Sequence, residues 1–140
     1  MLRERLGNDQ ATERAVVRRE LAAINRLRLA VLFAASPLST HVLDAALGGP
    51  AAGVAVRLLL GEELLAEAKT DDDGRVRALG PDLTPGTYRL VFATGEYFAG
   101  TARECFHPEV VVTFSVSDPA QHHHVPLLLS PFAYSTYRGS

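Results

Sequence analysis

Two hydrophobic periods divide the chain. Val17, Leu21, Ile24, Leu27 and Val31 recur at spacings of three and four, which is one face of a helix. The spacing predicts an amphipathic helix over 10–34, rich in the good helix formers Ala, Leu, Glu and Arg. Asn8 and Asp9 stand where caps are wanted. Ser36-Pro37 stops the helix, because the residue before a proline avoids the α region. After Pro37 the period falls to two. Strands are predicted over 39–44, 54–60, 64–70, 75–79, 87–93, 109–116, 122–129 and 134–137. Gly61-Glu62 and Asp71-Asp72-Asp73-Gly74 read as turns, 81–86 as a loop and 97–104 as a short helix. Short strands at this spacing predict an all-β, two-sheet antiparallel sandwich with one short helix, preceded by the N-terminal amphipathic α-helix.

Charge sharpens the division. Residues 1–36 hold seven arginines against Glu4, Asp9, Glu13 and Glu20, a net of +3. Residues 37–140 hold seven basic residues against twelve acidic ones, a net of −5. We therefore expect a helical segment at 1–36, a linker or fusion remnant, and one domain at 37–140. The overall −2 argues against a general nucleic-acid binder. Glu13 and Glu20 break the basic face that a membrane-surface helix would need. No run of about 18 apolar residues is present to span a bilayer. Arg14, Arg18 and Arg19 interrupt any secretory signal. A cytoplasmic protein without membrane or nucleic-acid partners is expected. The single cysteine, Cys105, rules out an internal disulfide.

The segment Gln121-His122-His123-His124-Val125 is the most unusual in the chain. Alternation along a strand would turn His122 and His124 to one face and His123 to the other. Two imidazoles on one rigid strand suit a metal site, metal-free acid–base chemistry near neutral pH, or simply a partly exposed strand that tolerates histidine. His41 lies in an apolar strand, where a lone histidine is more often a core residue than a catalyst. The acids at 71–73 lack the ligand spacing and distal glutamate of an EF-hand and read as a solvated turn. Arg75, just beyond, is a candidate anion or oxyanion binder, or an edge arginine. No G-x-S-x-G, phosphate loop or C-x-x-C occurs.

Four blocks, taken in order, resemble the 5-hydroxyisourate hydrolases, the transthyretin-related enzymes of urate breakdown. They are Leu38-Ser39-Thr40-His41-Val42-Leu43-Asp44; Thr70-Asp71-Asp72-Asp73-Gly74-Arg75; His124-Val125-Pro126-Leu127-Leu128-Leu129-Ser130-Pro131; and Tyr134-Ser135-Thr136-Tyr137-Arg138-Gly139-Ser140. His123 stands where the family pattern has tyrosine, and Asp71 where it has asparagine. The resemblance implies a transthyretin-like hydrolase domain over 37–140 that assembles as a homotetramer, with sites at a dimer–dimer interface. It implies ring opening of 5-hydroxyisourate by water to 2-oxo-4-hydroxy-4-carboxy-5-ureidoimidazoline, with no metal or cofactor. His41, Arg75, His124 and Ser140 are the catalytic residues it implies, and His122, Tyr137, Arg138 and Gly139 bind substrate. A zinc hydrolase using His41, His122 and His124, or a non-enzymatic transthyretin-like carrier, are the alternatives. Residues 1–35 resemble the terminal helix of the decarboxylase that acts next in the pathway, which implies a fused or neighbouring partner but no decarboxylase activity of its own.

Overall fold

A computed structural model describes residues 38–140, so the helix expected over 10–34 lies outside the described residues. Within them the order is β1 (Leu38–Asp44), β2 (Gly49–Pro50), β3 (Ala55–Leu60), β4 (Glu63–Lys69), β5 (Arg75–Val76), β6 (Gly86–Phe92), α1 (Thr94–Gly100), β7 (Val110–Val116), β8 (His123–Leu129) and β9 (Tyr134–Thr136). One sheet runs β2-β1-β8-β9, with β5 also paired to β1, and the other runs β4-β3-β6-β7. Leu38, Val42, Val125, Leu127 and Leu129 of the first sheet are buried with Val56, Leu58, Leu90, Phe92 and Val110 of the second. Each such aliphatic side chain contributes roughly 1.5–3 kcal/mol on burial, which fixes the face every strand turns inward.

The sandwich is as expected, with one exception in its pairing. β1 runs parallel to β8, so the five-stranded sheet is mixed. Leu38 and Thr40 share a face with His123 and Val125, and Ser39 shares the other with His124. The strand expected over 75–79 stops at Val76. Leu79 still buries itself and donates its amide to the Leu38 carbonyl, so the chain follows β1 without completing the ladder. The helix begins at Thr94, three residues before the expected start, and ends where Ala102 turns left-handed at φ 54°.

Two polar anchors lock this framework. The Tyr88 hydroxyl donates to the Thr84 carbonyl (2.8 Å) and accepts from the Thr84 amide (2.9 Å), while its ring stacks on Phe114. Asp44, fully buried at the end of β1, accepts from Arg103 Nη2 (2.5 Å), the Tyr97 hydroxyl (2.7 Å) and the Leu47 amide (3.0 Å). Burial alone would raise its pKa. The Arg103, Tyr97 and Leu47 hydrogen bonds outweigh that and hold the carboxyl at about 2. The Arg103 guanidinium also lies over the Phe98 ring at 4.9 Å, which ties the end of α1 to β1. Among the described residues no helix is long and apolar enough to cross a membrane.

Candidate active site

The face of the five-stranded sheet turned away from the core carries the candidate chemistry. On β1 the buried, core-facing residues are Leu38, Thr40, Val42 and Asp44, which leaves Ser39 and His41 on the opposite face. Antiparallel pairing sets Arg75 of β5 directly across from His41. Parallel pairing sets His124 of β8 across from Ser39. His122, immediately before β8, stacks on His124 with ring centroids 6.4 Å apart and planes within 19°. His41, Arg75, His122 and His124 therefore meet on one face, drawn from three segments far apart in sequence.

The turn 71–74 is the tool that places two of them. Asp71 Oδ1 accepts the amides of Asp73 and Arg75, both at 2.9 Å. The Arg75 amide bond is the main cause that holds the Asp71 carboxyl below its ordinary range. Gly74 sits at φ +75°, and a Cβ there would run into the Val42 carbonyl and the Ala51 amide. The acids are thus engaged in turn geometry, as a solvated turn requires. The turn also aims the Asp73 carbonyl at His41 Nε2 (2.9 Å). A carbonyl can only accept, so Nε2 carries the proton and a neutral His41 keeps its lone pair on Nδ1.

His124 is half-buried between these groups. Its pKa is pushed below 6.5, first by desolvation and then by the charges of His122, Arg75 and His41. It is therefore a neutral imidazole at pH 7, able to accept a proton. Behind it, the Gly139 amide donates to the His124 carbonyl at 2.8 Å. A Cβ at Gly139 would collide with the His124 ring, so only glycine lets the tail lie flat against the imidazole.

Tyr137 and Arg138 line a cavity of about 300 Å³ together with His124 itself, and with Val112, Phe114, His123 and Val125. Arg138 Nη2 donates to Gln121 Oε1 at 3.1 Å. Ser140 is exposed just beyond Gly139. His123 faces the interior, as strand alternation requires, and its buried Nδ1 has no hydrogen-bond partner. Among the described residues no group of three or more His, Cys, Asp or Glu side chains is arranged to hold a metal ion. The zinc reading needed His41, His122 and His124 to form such a group.

Sequence reasoning passed over Ser39. Its hydroxyl lies 2.9 Å from His122 Nε2 and 2.8 Å from His124 Nδ1. It stands two residues before His41 on the same strand face, which is the signal that could have found it.

The architecture and this histidine–arginine face define a transthyretin-like sandwich of the hydrolytic kind. The chain belongs to the HIUase/Transthyretin family, whose model matches residues 38–139. It is similar to the 5-hydroxyisourate hydrolase of Caulobacter vibrioides, at 52% identity over 114 residues, covering 75% of this chain and 99% of that protein. Among solved structures it is similar to Klebsiella pneumoniae 5-hydroxyisourate hydrolase, with a TM-score of 0.69 and 40% identity, covering 74% of this chain and 97% of that one. It is also similar to sea bream transthyretin in complex with thyroxine, with a TM-score of 0.68 and 31% identity over 74% and 94% of the two chains.

Proposed function

We propose that this face carries out the hydrolysis of 5-hydroxyisourate to 2-oxo-4-hydroxy-4-carboxy-5-ureidoimidazoline in urate breakdown, without a metal. The observation that carries the reading is the convergence of His41, Arg75 and His124 on one sheet face. The hydrolases among the relatives named above support the same substrate.

Opening a ring amide needs an activated water and a partner for the oxyanion. His124 suits the first task, since it is neutral at working pH. It takes a proton from water as the oxygen bonds to the ring carbonyl carbon. The tetrahedral oxyanion that forms is met by the Arg75 guanidinium, which stands across from His41. Collapse breaks the carbon–nitrogen bond, and the departing nitrogen takes up the proton that the histidines accepted from water. His41, held by the Asp73 carbonyl, orients substrate through its Nδ1. His122, Tyr137, Arg138, Gly139 and Ser140 complete binding, with Gly139 keeping the tail against His124.

The depressed pKa has a sign that can be measured. Protonation removes the base, so kcat/KM falls as pH drops through the His124 pKa, which lies below 6.5. Arg75→Gln removes one of the charges that disfavour the imidazolium. The acid limb of the kcat/KM profile should therefore move to higher pH in that variant, beyond any loss of rate. An acid limb at or above 6.5 in the unaltered protein, or one that Arg75→Gln leaves in place, would remove His124 from the role of base.

A cytoplasmic homotetramer built from domain 37–140, with 1–36 as an accessory segment, completes the proposal. The likeness to transthyretin supports the assembly, and so do the exposed side chains Leu47, Phe106, Val111, Phe132 and Tyr134, which a solitary sandwich would leave in water. Light scattering should give a mass near four times 15.1 kDa. A fully active monomer would contradict it.

A further inference from the structure

One hydroxyl joins the two stacked histidines. Ser39 is about nine-tenths buried, and its Oγ lies within hydrogen-bond distance of His122 Nε2 and of His124 Nδ1. A serine hydroxyl has one proton. It can donate to one ring only and must accept from the other, so the two imidazoles cannot choose their tautomers independently. Oγ is fixed on β1, and the seven-residue parallel register with β8 fixes its distance to His124. The arrangement is a built bridge between a half-buried ring and an exposed one.

We propose that Ser39 is a positioning residue that sets the tautomer of His124 and relays the proton His124 takes from water to His122. The proposal rests on the hydrolase reading above. In the resting site His124 Nδ1–H donates to Ser39 Oγ, and the Ser39 hydroxyl donates to His122 Nε2. His124 Nε2 then keeps its lone pair for water. When Nε2 gains a proton, Nδ1 gives its own to Oγ, and Oγ passes its original proton to His122 Nε2. His124 ends neutral, Ser39 ends a hydroxyl and His122 ends an imidazolium, so one proton has moved from water to His122 and its positive charge balances the oxyanion on the substrate. Desolvation, then the charges of His122, Arg75 and His41, disfavour a cation at His124, and His122 is the ring of the pair that is exposed to water.

The test reads the tautomer directly. Long-range proton–nitrogen NMR on the full chain, labelled with ¹⁵N-histidine at pH 8, should find His124 protonated on Nδ1 and bare on Nε2. Ser39→Ala should release His124 to the Nε2–H form that free imidazole side chains favour. It should lower kcat by about 10- to 100-fold, with KM changed by less than about threefold. Ser39→Thr, which restores the hydroxyl, should recover both the tautomer and most of kcat. A merely structural serine would not move the tautomer. His124 found protonated on Nε2 in the unaltered chain, a reading that needs no variant to fold, would overturn the proposal. So would Ser39→Ala with tautomer and kcat unchanged. A full chain that fails to hydrolyse 5-hydroxyisourate would instead overturn the functional reading, so the two failures are distinguishable.

Discussion

His124→Ala should lower kcat/KM for 5-hydroxyisourate by about 10²- to 10⁴-fold, the range general-base catalysis supplies. Arg75→Ala and His41→Ala should each cost at least about 10²-fold through lost charge stabilisation and substrate orientation. None of the three should unfold the protein. All lie on the outer face of the sheet, and the buried core on the other face contains none of them. The three losses should also fall short of additive. Arg75 and His41 both act on the charge of His124, so removing a second member of the group disturbs a site already impaired. Circular dichroism and thermal melting establish folding, and steady-state rates above spontaneous decay give the losses. Three variants that fold and keep turnover within about threefold of the unaltered chain would show that the chemistry resides elsewhere.

Removing residues 137–140 should have an effect nearly as large, about 10²- to 10³-fold, in a protein that still folds. The β8–β9 ladder ends at Thr136, whose hydroxyl donates to the Pro126 carbonyl, and both features remain in the shortened chain. What goes is the Gly139 amide on the His124 carbonyl, the backbone packed on the imidazole, and the hydroxyls and guanidinium of Tyr137, Ser140 and Arg138. A base that can swing loses the alignment on which proton transfer depends. Gly139→Ala should reproduce part of the loss, since its new methyl would push the ring aside. Removing residues 1–35 should leave turnover largely intact, because the face described here is drawn from residues beyond 37. If the order of the two truncations were reversed in folded proteins, the tail would have no part in the site.

Much of this arrangement could be read from the residues alone, and the exceptions have a common cause. Strand β7 announces itself by alternation, as the buried Val110, Val112 and Val116 show against the exposed Thr113 and Ser115. His122 and His124 fall on one face by alternation alone, and the buried His123 bears this out. The features that escaped depend on contacts between distant segments. Ser39 became a partner of two histidines only through the parallel register of β1 with β8, and residues 83 and 85 apart cannot signal that to one another. Asp44 and Arg103, 59 residues apart, pair just beyond the end of α1, a contact that neither segment signals on its own. β5 shrank to two residues because its pairing is set by the 71–74 turn and not by its own apolar pattern. The placement of Tyr137 and Arg138 in a cavity shared with His124 depends likewise on where β9 stops.

Hydrolysis of 5-hydroxyisourate on this sheet face by imidazole and guanidinium groups alone can be followed through the ultraviolet absorbance of 5-hydroxyisourate freshly made from urate by urate oxidase, with the full chain added in the presence of EDTA. Decay should run faster than the spontaneous rate, in proportion to protein added and unaffected by the chelator. Decay at the spontaneous rate, or acceleration that EDTA abolishes and zinc restores, would contradict it.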